Sequence, residues 1–442
     1  MSTDTDKLAD LLAVARSKGA DEADAVYFAG TSLSVSRRLG KIEHVERSEG
    51  RDLGLRVFVG ERSAIVSAPG LDPAKFADIA ERAIAMAKLV PADPLSGLLD
   101  IGPIPALDLD MADSAEPDAA TLGLRAGEAE DAALSVAGIT NSEGADASYS
   151  RSEAVLVTSR GFAGTYQRTG YSVSATALAG SGTEMQRDYD YTSAVHQADL
   201  DDPTRIGRSA GERALARLNP TRPKTAKLPV IYDPRVSPSL VGHLAGAVNG
   251  AGIARGTSFL REKMGQQIFA RGITIRDDPH RVRGLRSRPF DGEGQPTAPL
   301  DLIADGVLMT WVLDGRSAKQ LGLKTTGNAA RGTSGPPGPS TSNLYLTAGQ
   351  LSPAELIADI REGLYVTELI GSGINGLTGD YSRGAAGFMI RDGQLAEAVA
   401  EITIADNLID MFARLVPAND LRFLRGTDAP TIRIDDMMMA GS

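Results

Sequence analysis

Only four residues of this 442-residue chain are histidines: His44, His196, His243 and His280. A hydrolytic zinc site commonly draws on two or three imidazoles, with carboxylates or thiolates completing the set. Cysteine is absent, which removes disulfides, thiol nucleophiles and every Cys-based zinc site. His44 falls in a polar strand-like stretch and His196 in a charged loop, and both read as surface residues. Asp277-Asp278-Pro279-His280 sets two carboxylates beside an imidazole. That group can bind a metal, and Asp-Asp-Pro is also an ordinary turn signal. His243 sits in "LVGHLAGAVNG", a helical stretch after a strand. A metalloprotease helix puts a glutamate beside its first histidine as general base and a second histidine one turn on. Here those positions hold Leu244, Ala247 and Val248, so the residues alone describe a core or interface histidine.

A second candidate is "GSGINGLTGDYSRGAAG", Gly371 to Gly387, which contains a literal G-x-G-x-x-G. A dinucleotide fingerprint needs a strand before the glycines and a helix after them, because the helix N-terminus holds the pyrophosphate. "LYVTELI" supplies the strand. The stretch after Gly376, "LTGDYSRGAAGFMIRDG", has no helical period and leads into another strand, so the glycines are expected to shape turns and bulges. No Walker motif and no G-x-S-x-G elbow occurs. Gly-Thr-Ser at 256–258 and 332–334 is common loop chemistry. Spacing selects no carboxylate pair among 57 acidic residues.

The elements that must position these residues are set by periodicity. Leu8, Leu11, Leu12 and Ala15 share one helical face that Gly19 closes. Leu33 and Val35 alternate with serines, and Leu53, Leu55, Val57 and Val59 share one strand face. Gly60-Glu61 then predicts a hairpin turn into "RSAIVSA". Asp72-Pro73 opens a second helix burying Phe76, Ile79, Ala80, Ala83 and Ala87. Residues 90–117 read as a long surface connection. A third helix over about 118–137 precedes a hairpin through Arg160-Gly161, and Asp202-Pro203 opens a fourth that runs to about Leu218. The proline-rich Asn219–Pro229 marks a domain boundary. "LPVIYD" is a strand, and "SPSLVGHLAGAVNGAG" is a helix rich in small residues. Gly322–Asn343 is a flexible loop by composition. Ser352–Glu355 is a capping box whose helix stops at Gly363. The reading is an α+β protein with largely antiparallel sheets flanked by helices: an N-terminal domain over 1–220 and a strand-rich C-terminal domain over 221–442.

Composition narrows the function. The net charge is −11, and Lys and Arg never form a run of five. Direct nucleic-acid binding needs a basic stripe and is not expected. No signal-peptide core and no run of 18 apolar residues occurs, so the expectation is a cytoplasmic protein with no membrane partner.

"VTELIGSGINGLTGDYSRGAAGFMI" with "EITIADNLIDMF", together with "GLRVFVGERSAIVSAPGL", "FLREKMGQQIF" and "RPFDGEG", closely resembles the TldD/PmbA family, within it the PmbA (TldE) branch. The resemblance implies a subunit of a two-subunit cytoplasmic protease that processes or degrades small unfolded peptides, including a microcin precursor and an antitoxin. The family is also described as a modulator of DNA gyrase. In that pairing the TldD-like paralogue carries zinc on His-Glu-x-x-x-His and a later cysteine. His243 matches the first ligand, Leu244 replaces the glutamate and Val248 the second histidine. The resemblance therefore implies no catalytic residue, metal or cofactor in this chain, with zinc held by the partner. His243 and Asp380-Tyr381-Ser382-Arg383 are the expected interface or peptide-channel residues, and a homodimer is expected when the partner is absent. Two alternatives stand beside this reading: a separate hydrolase using His243, His280 and carboxylates, and a gyrase-binding regulator.

Overall fold

The computed structural model describes residues 3–442. Helix α1 (Asp4–Ser17) leads into three antiparallel strands, β1 (Glu22–Arg38), β2 (Lys41–Val59) and β3 (Arg62–Pro69). Helices α2 (Phe76–Leu89) and α3 (Ala119–Leu134) come next. Strands β4 (Ile139–Thr158), β5 (Ala163–Ala179) and β6 (Gln186–Ala194) complete a six-stranded sheet in the order β3-β2-β1-β4-β5-β6. Helix α4 (Pro203–Ala216) closes this half. Alternation along β2 sends Leu53, Leu55 and Val57 into one core, where Leu8, Leu11, Ile79 and Ala83 of the first two helices cover them. A second core lies under α3 and α4, built largely from alanines of β4, β5 and the two helices. Small residues let these helices approach closely: a Cβ on Gly207 of α4 would lie 1.8 Å from the Ala129 carbonyl oxygen of α3.

The remaining chain starts at β7 (Ala226–Tyr232), succeeded by α5 (Pro238–Ala247) and α6 (Gly250–Ala254). Then come β8 (Ile275–Asp277), β9 (Leu300–Ala304), β10 (Val307–Leu308), α7 (Gly315–Leu321), and the short pair β11 (Ala329–Ala330) and β12 (Gly338–Pro339). Strand β13 (Leu344–Leu346) and α8 (Pro353–Ile357) lead to the long strands β14 (Glu362–Ile374), β15 (Asp380–Arg391) and β16 (Gln394–Asn407). Helix α9 (Leu408–Arg414), β17 (Val416–Pro417), β18 (Thr427–Asp428) and β19 (Ile432–Ala440) end the chain. One sheet runs β16-β15-β14-β7-β19-β17, and β16 also pairs with β19. These pairings close five strands on themselves, with β17 appended. A five-stranded sheet, β10-β9-β8-β13-β18, packs beside it. Apart from β7–β14 and β13–β18, the strand pairs are antiparallel. The class expected from the sequence, α+β with largely antiparallel sheets, is the class observed.

Four local expectations need correction. The helix after Ser352 keeps its capping box but ends at Ile357, and Gly363 lies inside β14. The helix carrying His243 breaks at Val248–Asn249, where the Asn249 side chain caps α6. Residues 90–117 are irregular but act as a strap: Leu98 and Leu109 are buried, and the Asp100 carbonyl accepts from Gln295 Nε2 at 3.1 Å. Gly322–Asn343 is not a free loop. Asn328, Ser342 and Asn343 are buried, and the Arg331 side chain is 1% exposed. Glycine and proline give tight turns as readily as mobility, and here the turns press the segment onto the N-terminal sheet.

Candidate functional site

Of the contacts that join the halves, two zones are built around buried Asp–Arg pairs. In the first, Asp24 on β1 is fully buried between two guanidiniums. Arg56 of β2 bonds it through Nε at 3.1 and 3.2 Å and through Nη2, and Arg331 Nη1 reaches it at 2.6 Å. Burial alone pushes the Asp24 carboxyl up, and the Arg331 and Arg56 charges outweigh that and hold it below the usual range. Gly54 lies beneath Thr333, where a Cβ would meet the Thr333 carbonyl oxygen at 2.4 Å. Phe290 packs edge-on to Phe162 and Tyr166, with ring centres 5.1 and 5.4 Å apart. Asp24 itself is fully enclosed, while a pocket of about 390 Å³ opens beside it along Arg56, Phe58, Glu293 and Ser334.

The second zone is open. A cleft of about 620 Å³ lies between β6, the start of α5, β14 and the 425–427 loop. Its walls carry Arg187, Arg217, Arg235, Arg286, Arg383 and Arg425, against only two carboxylates, Asp188 and Glu368. Asp188 pairs with Arg235 at 2.6 Å and Arg217 at 3.6 Å, and Glu368 also pairs with Arg217. Just outside the lining, Glu143 pairs with Arg187 at 3.3 Å and Asp233 with Arg235 at 3.1 Å, so the unanswered positive charge lies on Arg286, Arg383 and Arg425, in a chain of net charge −11. Strand β6 is the sheet's outer strand, but its edge does not invite strand addition. The Tyr189 and Tyr191 N–H groups donate to the carboxylates of the preceding Asp188 and Asp190 at 2.7 and 2.9 Å.

His243 stands on the helix whose Gly242 faces this cleft. A turn held by Asp233, whose Oδ1 accepts the Arg235 N–H at 2.8 Å, aims the helix. The imidazole meets Tyr381 edge-on, with ring centres 6.1 Å apart. Its Nε2 is buried without a hydrogen-bond partner among the described residues. Burial first, and then the Arg383 charge, lowers its pKa to about 4. Leu244 and Val248 are both 0% exposed and packed in the large C-terminal core. These residues do not fit a zinc ion: Leu244 and Val248 offer no donor atom, and the neighbours of the orphan imidazole are the Tyr381 ring and a cation. Among the described residues no group of three or more His, Asp or Glu side chains is placed to hold a metal. The small residues of α5 and α6 serve different ends. A Cβ on Gly242 or Gly246 would meet nothing within 4 Å, whereas one on Gly250 would lie 2.5 Å from Leu313 Cδ2.

Strand alternation splits Asp380-Tyr381-Ser382-Arg383. Tyr381 is buried beside His243, its hydroxyl 3.5 Å from that of Tyr232, and Arg383 reaches the cleft. Asp380 and Ser382 are exposed. Asp380 accepts from Thr378 Oγ1 at 2.6 Å and Asn407 Nδ2 at 3.2 Å, and makes no ion pair with Arg383. The structure thus gathers His243, Tyr381 and Arg383 and leaves the other two outside. The G-x-G-x-x-G is a strand–turn–strand: Gly371 marks a bulged stretch of β14, and a Cβ on Gly373 would meet the Ser382 carbonyl oxygen at 2.0 Å. Asp277-Asp278-Pro279-His280 is a structural turn. Buried Asp277 is saturated by Asn328 and Ser342, and His280 Nε2 lies 3.0 Å from Thr297 Oγ1. The arginines contributed by β6, the end of α4, the turn before α5 and the loops were missed. The one local signal was arginine density in "RVRGLRSR", residues 281–288.

The chain matches PmbA/TldA metallopeptidase domain 1 over residues 23–87, the central domain over 107–218 and the C-terminal domain over 225–441. It is 36% identical to Metalloprotease PmbA of Escherichia coli O157:H7, covering 95% of this chain and 92% of that protein. It is 33% identical to the Metalloprotease PmbA homolog of Haemophilus influenzae, covering 93% and 90%. A crystal structure from Bacteroides thetaiotaomicron, described as a candidate modulator of DNA gyrase, superposes with a TM-score of 0.91 at 26% identity over the whole of both chains. TldE from Thermococcus kodakarensis shares the fold, with a TM-score of 0.89 at 22% identity, covering 98% of this chain and 100% of that one.

Proposed function

The chain belongs to the PmbA/TldD metallopeptidase family, and from that premise we propose that it is the non-catalytic subunit of a two-subunit cytoplasmic metalloprotease acting on small unfolded peptides. The observation that carries this reading is the core placement of Leu244 and Val248 beside His243. A glutamate and a histidine there would make a metalloprotease helix, and aliphatic chains can neither ligate zinc nor move a proton. The absence of cysteine removes the third ligand that the family resemblance implies for the zinc-bearing paralogue. In this role the chain supports that paralogue and forms one wall of the peptide path, with Arg383 facing it and His243 and Tyr381 packed behind it.

The test is co-expression with a His-Glu-x-x-x-His paralogue from the same genome, with zinc analysis and peptidase assays on each chain alone and on the pair. The expected result is a complex whose zinc and activity require the paralogue. Stoichiometric zinc with activity in this chain alone would overturn the reading. Gyrase co-purifying in place of the paralogue would replace it with a regulatory one.

A further inference from the structure

Asp188 and Glu368, the only carboxylates lining the cleft, are committed to Arg217 and Arg235. Arg286, Arg383 and Arg425 line the same cleft, and none has a carboxylate within ion-pair distance among the described residues. Their contacts are neutral: Arg286 Nη1 donates to Thr427 Oγ1 at 3.4 Å, Arg383 Nε to the Ile370 carbonyl at 3.4 Å, and Arg425 Nη1 to the Pro234 carbonyl at 2.8 Å. Much of each planar fork is therefore free to bond a carboxylate in two places at once. The committed ion pairs fix the frame around them: Arg235 is 9% exposed and Asp188 3%. Val236, Pro238 and Leu369 put apolar surface in the same cleft, as a terminal residue with a hydrophobic side chain requires.

We propose that this cleft binds the carboxylate of a peptide, Arg286, Arg383 and Arg425 supplying the counter-charge and the apolar wall taking the adjoining side chain. That the peptide is one handled by the protease complex rests on the function proposed above; that the cleft binds carboxylate rests on its own geometry. The blunted edge of β6 agrees with the inference. With the Tyr189 and Tyr191 amides occupied, a ligand here is held by its charged group and not by a backbone ladder.

The test uses the isolated full-length chain, so that it does not depend on the paralogue. Fluorescent tetrapeptides ending in leucine are titrated by anisotropy at low ionic strength, in three forms: free acid, C-terminal amide, and amide with one internal aspartate. The free acid is expected to bind at least about tenfold more tightly than the plain amide, and to weaken with added salt. Binding of the aspartate-containing amide at similar strength assigns the site to side-chain carboxylates; failure of that form assigns it to the chain terminus. Arg286→Gln combined with Arg425→Gln is expected to cost about tenfold or more, and Arg16→Gln, on the far helix α1, nothing. Arg383→Gln is a third variant. Should it fail to fold, the double variant at the cleft rim still decides. Equal binding of free acid and plain amide, an unaffected double variant, or binding of inorganic phosphate without the peptides would each overturn the proposal. Loss of paralogue association with carboxylate binding retained would remove the functional reading alone.

Discussion

The two Asp–Arg zones that join the halves use the same residue types to opposite ends. Around Asp24, two arginines converge on one buried carboxylate, glycine removes the last obstacle to contact, and aromatic rings pack alongside. Around Asp188, six arginines surround two carboxylates and about 620 Å³ stays open. Ion pairing in which each charge is answered is a fastener, and ion pairing that leaves charge unanswered is a receptor. The count of salt bridges does not distinguish them; the spare guanidiniums do.

The largest way to break this contrast is to remove the Asp24 charge. Asp24→Ala leaves Arg56 and Arg331 facing each other in a buried site, and a loss of about 3–5 kcal/mol is expected in chemical denaturation. Gly54→Val forces a side chain against the Thr333 backbone and is expected to cost about 1–3 kcal/mol. Faster proteolysis within 322–343 would show that the segment has lifted. At the open zone, Arg286→Gln should leave stability within about 0.5 kcal/mol of the parent. A loss as large as that of Asp24→Ala would make the cleft a second fastener.

Acid sharpens the comparison because each zone has a titrating neighbour of opposite sign. His243 has a folded-state pKa of about 4, below its unfolded value. The unfolded chain binds the proton more readily, so this contribution to stability is lost as pH falls from about 6.5 to 4. His243→Phe should flatten that part of the curve of melting temperature against pH. Glu293 sits near the Asp24 zone, and burial, then the Asp291 charge, raises it to about 7. Its contribution is full below about 4.5 and is lost as pH rises to about 7. Glu293→Gln should therefore raise the melting temperature at pH 8 and change it little at pH 4.5. The carboxylate also accepts the Gly315 N–H at 2.7 Å, a bond that a glutamine amide oxygen can keep.

Period and punctuation made much of the fold legible. The helix at Leu8–Ala15, the turns at Gly60-Glu61 and Arg160-Gly161, and the missing helix after Gly376 are all local statements, and local sterics decide them. His243, Tyr381 and Arg383 could be named from the sequence, but not the fact that they meet while Asp380 and Ser382 turn away. That needed the strand register of β15. The cleft arginines were illegible for a stronger reason: they come from β6, the end of α4, the turn before α5, a central loop and the 425–427 loop, and no periodicity connects such positions. Gly322–Asn343 was misread because composition reports the ability to turn, not the surface onto which the turns are pressed.

Arg331 comes 307 residues after Asp24. At about 5–20 residues per second on the ribosome, roughly 15 to 60 s separate the two. During that interval β1 and β2 can already pair, and Arg56 can neutralise Asp24 from the neighbouring strand. The groove over Gly54 nevertheless stays vacant until residues 331–333 emerge. The nascent N-terminal half is therefore a finished sheet with one slot unfilled, and the order of synthesis makes the arrival of Arg331 a late step that locks the two halves together.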